Sequence, residues 1–320
     1  MKKSLLPIVT LLLICSLLLA ACGTEKGAKD EENNSLGQET TMEMTIAAMP
    51  SVDKIPVIVG ESKGFFAQYG LDVNLENFQS PTDRNAALQA GEVDGVMSDM
   101  VADILYLDAG MDMVMTSLIQ TDFMVVSSSQ SSITEFANIT ESHKCGMALN
   151  TLMEYIADKA GPAQKVMVPD VMTRVEQVVS GDLDLTVVPE PYGSMAVERG
   201  AVKVGTSEDM GIYAALMLFP RAYLEDNKDA VTAFYQGYND AVAYLEENGM
   251  EDVLEDVTAK GEFPTSAQEI LSQLKFRPIE PATAEQFKDV QEWMSQHPEF
   301  NGPYDYDFAQ ISDFSFLPQE

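Results

Sequence analysis

Short apolar or alternating stretches and stretches with helical punctuation follow one another along most of the chain. Residues 44–48 and 71–78 have the apolar content and alternation of strands. A helix is predicted over residues 84–90, where Pro81-Thr82-Asp83 supplies a start signal and Gly91 a stop. Residues 50–56 contain two prolines and read as a loop, with a helix from 57 to 66. This alternation predicts an α/β protein with mostly parallel strands.

The same order of strand and helix returns over residues 144–188. Three residues recur 90 positions later: Arg84, Gly91 and Asp94 return as Arg174, Gly181 and Asp184. Junctions of helix, glycine and strand are common, so chance is one explanation. The alternative, which we favour, is a duplicated architecture with two similar α/β lobes. The pattern after residue 222 is mostly helical.

The N-terminus has the pattern of a targeting segment. Met1-Lys2-Lys3 is basic, residues 5–21 are almost wholly apolar, and Leu19-Ala20-Ala21-Cys22 follows. This order is typical of a secretory signal, whereas a transmembrane helix would need a slightly longer run. The last four residues resemble the lipobox of bacterial lipoproteins, which implies cleavage before Cys22 and a lipid anchor on its sulfur. We therefore expect a signal peptide at 1–21 and a flexible, polar tether at 22–43.

Charge and cysteine content exclude several classes of protein. The 320 residues include 51 Asp and Glu against 19 Lys and Arg, a net charge of −32. Such a field repels phosphates, so we expect no nucleic-acid partner. Three Cys and two His leave little room for a zinc site, and we expect no metal and no cofactor.

The sequence lacks the common catalytic motifs. It contains no Gly-x-Ser-x-Gly elbow, no phosphate-binding Gly-rich Lys loop and no His-Glu-x-x-His. His143 and Cys145 lie on one strand, close in sequence but not arranged as a nucleophile and its base. The sequence therefore predicts a binding protein and not an enzyme.

Polar residues gather where the predicted strands end. Ligands of open α/β sheets bind outside the carboxyl ends of the strands, and the helices that begin there present free N–H groups. Each of these residues is also an ordinary candidate for a helix cap or a turn. The candidates for ligand contact are Ser51, Ser80, Ser98, Asp99, Asn150, Thr151, Glu190 and Tyr192.

Several segments together resemble one family. They match, in order, the substrate-binding proteins of ABC transporters for nitrate, aliphatic sulfonates and thiamine pyrimidines. The resemblance covers roughly residues 44–250. Its segments are 55–66 (IPVIVGESKGFF), 69–73 (YGLDV), 87–94 (ALQAGEVD), 150–156 (NTLMEYI), 179–184 (VSGDLD) and 188–192 (VPEPY).

The resemblance implies a two-lobed periplasmic-binding-protein fold of type II, each lobe a mostly parallel sheet flanked by helices. Lobe 1 would comprise residues 44–121 and 209–320, with C-terminal helices, and lobe 2 residues 122–208. The chain would cross between the lobes near 120–122 and 205–213, which adds Gln120 and Asp122 to the candidate site. The lobes would close on a small ligand and deliver it to a permease and its ATPase. We expect a monomer, anchored on the outer face of the membrane of a Gram-positive bacterium.

The predicted cleft segments favour a nitrogenous ligand. They offer Asp53, Asp99, Asp122 and Glu190 but no arginine, and Lys54 is their nearest basic residue. Carboxylates suit amino or ring N–H groups better than an oxyanion, which favours a pyrimidine related to thiamine. Three alternatives remain: a binder of alkanesulfonate or nitrate, a ligand-sensing lipoprotein, and an enzyme like the pyrimidine synthases that share this fold. The lone Cys145 argues against the last.

Overall fold

The computed structural model describes residues 41–318. The predicted signal peptide, the predicted lipid attachment at Cys22 and the predicted tether up to residue 40 lie outside this range. Within residues 41–318, no helix is long and apolar enough to cross a membrane.

Ten strands and twelve α-helices form the described part of the chain. The strands, β1 to β10, are Met42–Ala48, Leu71–Asn77, Gly95–Asp99, Met113–Leu118, Phe123–Ser127, Lys144–Met147, Gln164–Met167, Leu185–Pro189, Val202–Thr206 and Ala215–Pro220. The helices, α1 to α12, are Ile55–Ser62, Phe65–Gln68, Pro81–Ala90, Met100–Asp108, Leu152–Ala160, Val171–Ser180, Tyr192–Glu198, Arg221–Asp226, Lys228–Asn248, Leu254–Lys260, Gln268–Leu271 and Ala284–Gln296.

The strands build two five-stranded sheets of matching topology. The first has the order β2-β1-β3-β10-β4 and the second β7-β6-β8-β5-β9. In the first sheet only β10 runs antiparallel to its neighbours, and in the second only β5 does. These strands follow the two crossings of the chain, at residues 119–122 and 207–214. The fold is thus the predicted two-lobed α/β fold with mostly parallel sheets.

Helices cover the sheets, and their central strands are apolar. Val96 and Met97 of β3 are almost fully buried, as are Met217 and Leu218 of β10. Continuous apolar runs of this kind are expected where a strand is buried on both faces. The C-terminal helix α12 contacts elements of both sheets. It packs on α4, and Asp289 accepts a hydrogen bond from Lys159 Nζ of α5 at 2.9 Å.

The prediction of a loop over residues 50–56 is wrong. A 3₁₀ turn at Val52–Lys54 runs directly into α1, which begins at Ile55. Pro56 sits in the first turn of this helix, where a proline lacks only an N–H that would have no helical partner. The proline that we interpreted as a loop signal is therefore a helix start.

The recurrence at 90 residues marks equivalent turns in the two sheets. Asp94 precedes β3, and its carboxylate accepts the N–H of Thr45 in β1 at 2.8 Å. Asp184 precedes β8, and its carboxylate accepts the N–H of Lys144 in β6 at 2.7 Å. Each aspartate fixes a helix–strand turn to the neighbouring parallel strand.

We expect Gly91→Ala to lower the free energy of unfolding by about 1–2 kcal/mol, because Gly91 ends α3 in the left-handed region at φ +70°. An added Cβ would meet nothing within 4 Å, so backbone strain alone sets this cost. Urea denaturation at neutral pH measures it, with Gln89→Ala on the exposed face of α3 as the control. Equal unfolding midpoints for the two variants would contradict the prediction.

Candidate ligand-binding site

A cavity of about 110 Å³ lies at the carboxyl ends of strands from both sheets. A single water needs at least about 10–15 Å³ of such space, so this cavity has room for several waters or one small ligand. The first crossing contributes Thr121 to its wall, and Phe123 and Ala215, which follow the two crossings, begin β5 and β10 there. From the first sheet it is lined by residues around 49–53, 79–85 and 97–105, and from the second by residues around 148–153, 169–174 and 189.

The structure brings six of the predicted site residues together at this cavity. Two of them, Asn150 and Thr151, come from the second sheet, and the other four come from the first. The six are Ser51, Asp53, Ser98, Asp99, Asn150 and Thr151.

The other five predicted residues lie outside the lining of the cavity. Ser80 caps α3, accepting the N–H of Asp83 at 3.2 Å. Gln120 binds the main chain of the C-terminal segment, donating to Lys275 O at 3.0 Å. The remaining three are in the crossing or just after β8: Asp122 accepts from Ser207 Oγ at 3.0 Å, Glu190 accepts from Ser194 Oγ at 2.7 Å, and Tyr192 is buried at the start of α7.

Two arginines that we did not predict as site residues line the cavity. Arg84 and Arg174 are both almost fully buried. They belong to the 90-residue recurrence, and each lies in the helix that follows a strand end. That recurrence, combined with the rule that ligands bind at strand ends, was the signal in the sequence that would have found them. The argument from the sequence that the cleft lacks an arginine is therefore wrong.

The hydrogen bonds of Arg84 are satisfied within the protein. Its Nε and Nη2 donate to Asn85 Oδ1 at 3.2 and 3.1 Å, and Nη2 also reaches Tyr106 Oη at 3.2 Å. Its Nη1 donates to Met97 O at 3.2 Å. Arg84 thus ties α3 to β3 and α4.

Arg174 is held by main-chain carbonyls. Its Nη1 donates to Val168 O at 2.7 Å and to Pro169 O at 2.9 Å. Its Nη2 faces the sulfur of Met153 at 3.2 Å, a weak acceptor. Burial lowers the pKa of Arg174 to about 10, so the guanidinium stays charged at neutral pH.

Asp53 is a buried carboxylate of the cavity wall. Burial raises its pKa to about 6, opposed mainly by the charge of Lys54. The ammonium of Lys54 is itself directed to Asn77 Oδ1, at 2.6 Å. At neutral pH, Asp53 is therefore mostly ionised, although burial disfavours its charged form.

Asp99 lies where helices of the two sheets meet. Its Oδ1 accepts the N–H of Ala102 at 2.9 Å and so caps α4. Burial raises the pKa of Asp99, while the N–H groups of Ala102 and Leu152 oppose the rise. Leu152 is the first residue of α5, so one carboxylate faces the starts of helices from both sheets.

A partly buried ion pair supports the loop that carries Asn150. Asn150 has φ +59°, a left-handed conformation, and its N–H donates to Glu154 Oε2 at 2.6 Å. The other oxygen of Glu154 accepts from Lys165 Nζ at 2.8 Å. Local hydrogen bonding of this kind lets an asparagine hold a strained backbone.

A family model described as the NMT1-like family matches residues 37–258. The chain belongs to the NMT1-like family. The predicted family resemblance and the predicted fold are confirmed. A search of curated protein sequences found no significant match.

Solved structures with the same fold include transport proteins and an enzyme. The ligand-binding component of an ABC-type import system from Staphylococcus aureus has a TM-score of 0.71 at 13% identity, over 86% of this chain and 97% of that one. The periplasmic aliphatic sulphonate binding protein SsuA from Escherichia coli has a TM-score of 0.69 at 16% identity, over 84% and 97%. The desulfurization enzyme DSZB has a TM-score of 0.64 at 12% identity, over 86% and 97%. At these identities the similarity establishes the fold alone.

Cys145 and His143, the two residues considered as a catalytic pair, are not arranged as a nucleophile and its base. Burial raises the pKa of the Cys145 thiol to about 12, which keeps it protonated at neutral pH. His143 Nδ1 accepts the N–H of Thr140 at 3.1 Å. Among residues 41–318, no group of three or more His, Cys, Asp and Glu side chains is arranged to hold a metal.

Proposed function

We propose that this protein is the solute-binding component of an ABC importer. The observation that carries the proposal is the cavity itself, which is walled by strand ends of both sheets and lies beside both chain crossings. Membership of the NMT1-like family and the fold shared with an import component support the same role.

The two crossings are the hinge of the proposed mechanism. Residues 119–122 and 207–214 connect the sheets, and Ser51 Oγ lies 3.0 Å from Thr121 Oγ1 at the first of them. A ligand that contacts both walls of the cavity binds the closed form better than the open one. It therefore shifts the population toward closure, and the permease distinguishes the two forms.

The proposed ligand is a small nitrogenous molecule, such as a pyrimidine related to thiamine. Asp53 and Asp99 support this choice, because buried carboxylates accept hydrogen bonds from amino or ring N–H groups. A second candidate is an alkanesulfonate or nitrate. It is favoured by Arg84 and Arg174, which face no carboxylate within 4.0 Å among the described ion pairs.

The place of action that we propose is the outer face of the cell membrane, with a lipid on Cys22 as the anchor. Growth of the bacterium with a labelled fatty acid tests this part. We expect label on the wild-type protein and none on Cys22→Ala.

Thermal unfolding of the full-length protein in mild detergent tests the ligand. We expect the hydroxymethyl aminopyrimidine of thiamine to raise the melting temperature, because a ligand at 100 times its Kd stabilises the native state by about 2.7 kcal/mol. Stabilisation by ethanesulfonate or nitrate alone would establish the second candidate. Mass spectrometry of the incubated mixture should return the ligand unchanged, and a product would overturn the binding role in favour of an enzyme.

A further inference from the structure

Three buried polar atoms without a hydrogen-bond partner lie on the wall of this one cavity. They are Asp53 Oδ1, Ser98 Oγ and Arg174 Nε, and no described residue satisfies them. The three residues are 8%, 7% and 1% exposed, respectively. Buried polar groups are almost always hydrogen-bonded, because each unsatisfied group costs about 1–3 kcal/mol. Their convergence on a single cavity indicates that a ligand supplies the missing partners.

Comparison of the two equivalent arginines separates a structural role from a binding role. The Nε of Arg84 is bonded to Asn85 Oδ1, and both of its terminal nitrogens reach oxygen acceptors. The Nε of Arg174 is unsatisfied, and one terminal nitrogen faces only a thioether. Arg174 is therefore the arginine with hydrogen-bonding capacity left for a ligand.

Asp53 and Arg174 lie on opposite sides of the cavity and need different partners, a hydrogen-bond donor for Asp53 and an acceptor for Arg174. Asp53 belongs to the first sheet's side of the cavity and is an acceptor, whereas Arg174 belongs to α6 on the second sheet's side and is only a donor. A simple oxyanion would satisfy Arg174 and be repelled by Asp53. A simple cation would satisfy Asp53 and leave Arg174 unpaired. Ser98 can donate or accept, so it does not discriminate between the two.

We propose that the cavity selects a dipolar ligand, which donates a hydrogen bond to Asp53 and accepts one from Arg174, and so connects the two lobes. This inference rests on the proposed function and specifies its ligand. Closure and selection then have one cause, because only a molecule with both groups gains a charge-assisted hydrogen bond from each lobe.

Two matched pairs of probes test whether the ligand needs a hydrogen-bond donor for Asp53. The first pair is the hydroxymethyl aminopyrimidine of thiamine and the same pyrimidine without its amino group. The second is taurine and ethanesulfonate, which differ by an ammonium group. Calorimetry on the full-length protein should give, in at least one pair, about 10- to 100-fold tighter binding of the member with the nitrogen donor.

Variants of Asp53 and Arg174 then show which protein group binds which end of the ligand. In Asp53→Asn we expect the preference for the amino member to fall to within about threefold. In Arg174→Met both members of the pair should weaken alike, by about tenfold or more. Arg199→Met, which breaks an exposed pair with Glu176, is the matched control and should bind as the wild type does. Arg174→Lys provides a second variant if the methionine protein does not fold.

Three results would overturn the inference. The first is equal or tighter binding of the donor-free member in both pairs. The second is an unchanged preference for the amino member in Asp53→Asn together with unchanged affinity in Arg174→Met, or in Arg174→Lys if the methionine protein does not fold. The third is absence of binding for all four probes. In each of these cases the importer role stands if some other small molecule binds reversibly and unchanged. That role fails separately if no metabolite in a broad thermal-shift screen stabilises the protein.

Discussion

Replacing Asp103 with asparagine is expected to stabilise the protein most at pH 7–8 and to flatten the dependence of its stability on pH. Asp103 is completely buried in α4, one turn after Asp99, and neither of its oxygens has a hydrogen-bond partner among the described residues. Burial, together with the charge of Asp99, raises its pKa from 3.8 to about 8. The native state therefore holds a proton on Asp103 at neutral pH, whereas the unfolded chain has released it.

The sign of the effect follows from this difference in bound protons. A raised pKa in the folded state gives stability that is complete below about pH 4 and is lost as the pH rises to about 8. The slope is on the order of 1.4 kcal/mol per pH unit in that window. Asp53 contributes in the same direction only up to about pH 6, so the difference between wild type and Asp103→Asn from pH 6 to 8, and not the slope of the wild type alone, reports on Asp103.

Urea denaturation of the wild type and of Asp103→Asn between pH 4 and 8 measures the effect. The two free energies of unfolding should lie close together near pH 4 and separate steadily above it. Asp108→Asn, on the exposed end of the same helix, is the control. If wild type and Asp103→Asn lose stability in parallel from pH 6 to 8, Asp103 does not hold the proton.

Patterns in the sequence located the framework of the cavity because they are local. The caps at Asp99 and Thr151 and the glycine at position 91 follow from the conformational preferences of single residues, and the structure has helices beginning or ending there. The strand ends in turn fixed where a ligand site of an α/β sheet must lie. Six of eleven nominated side chains accordingly line the cavity.

What local patterns miss is the direction of a long side chain. Arg84 and Arg174 lie within helices, and their position in the sequence leaves open whether they point to solvent or to the cleft. Contacts outside the helix decide it: Met97 O and Tyr106 Oη accept from Arg84, and Val168 O, in the loop before α6, accepts from Arg174. Burial of a guanidinium depends on such acceptors, which come from other elements of the fold.

Gln120 and Asp122 are two residues that were predicted to face the ligand and do not line the cavity. The sequence nominated both residues as part of a crossing, yet their side chains bind partners that are distant in the sequence. Gln120 binds the main chain at Lys275 and Arg277, and Asp122 binds Ser207. No short-range pattern in the sequence pairs residue 120 with residue 275.

Replacing Lys165 with methionine is expected to lower the free energy of unfolding by about 2–4 kcal/mol. Lys165 Nζ lies 2.8 Å from both Glu154 Oε1 and Asp158 Oδ2, and the side chain of Glu154 is only 3% exposed. Removal of the cation leaves a buried carboxylate unpaired, which costs about 3–5 kcal/mol when both partners are buried. We expect somewhat less here because 25% of the Lys165 side chain is exposed.

Urea denaturation at pH 7 measures this loss, with Lys159→Met as the control. Lys159 pairs with Asp289, and both side chains are well exposed, so its removal should cost no more than about 1 kcal/mol. Equal losses for the two lysine variants would mean that water, and not Lys165, balances the charge of Glu154.

A second substitution separates the stability of this pair from its role at the cavity. Adding Glu154→Gln to Lys165→Met removes the more buried of the two carboxylate charges that Lys165 paired, so stability should recover by about half or more. The N–H of Asn150 then loses its carboxylate acceptor, and the left-handed turn at the cavity wall is held less firmly. We therefore expect the double variant to bind its ligand more weakly than the wild type, by about tenfold, although its stability has recovered. Recovery of both properties would show that Glu154 serves the packing of α5 and not the geometry of the site.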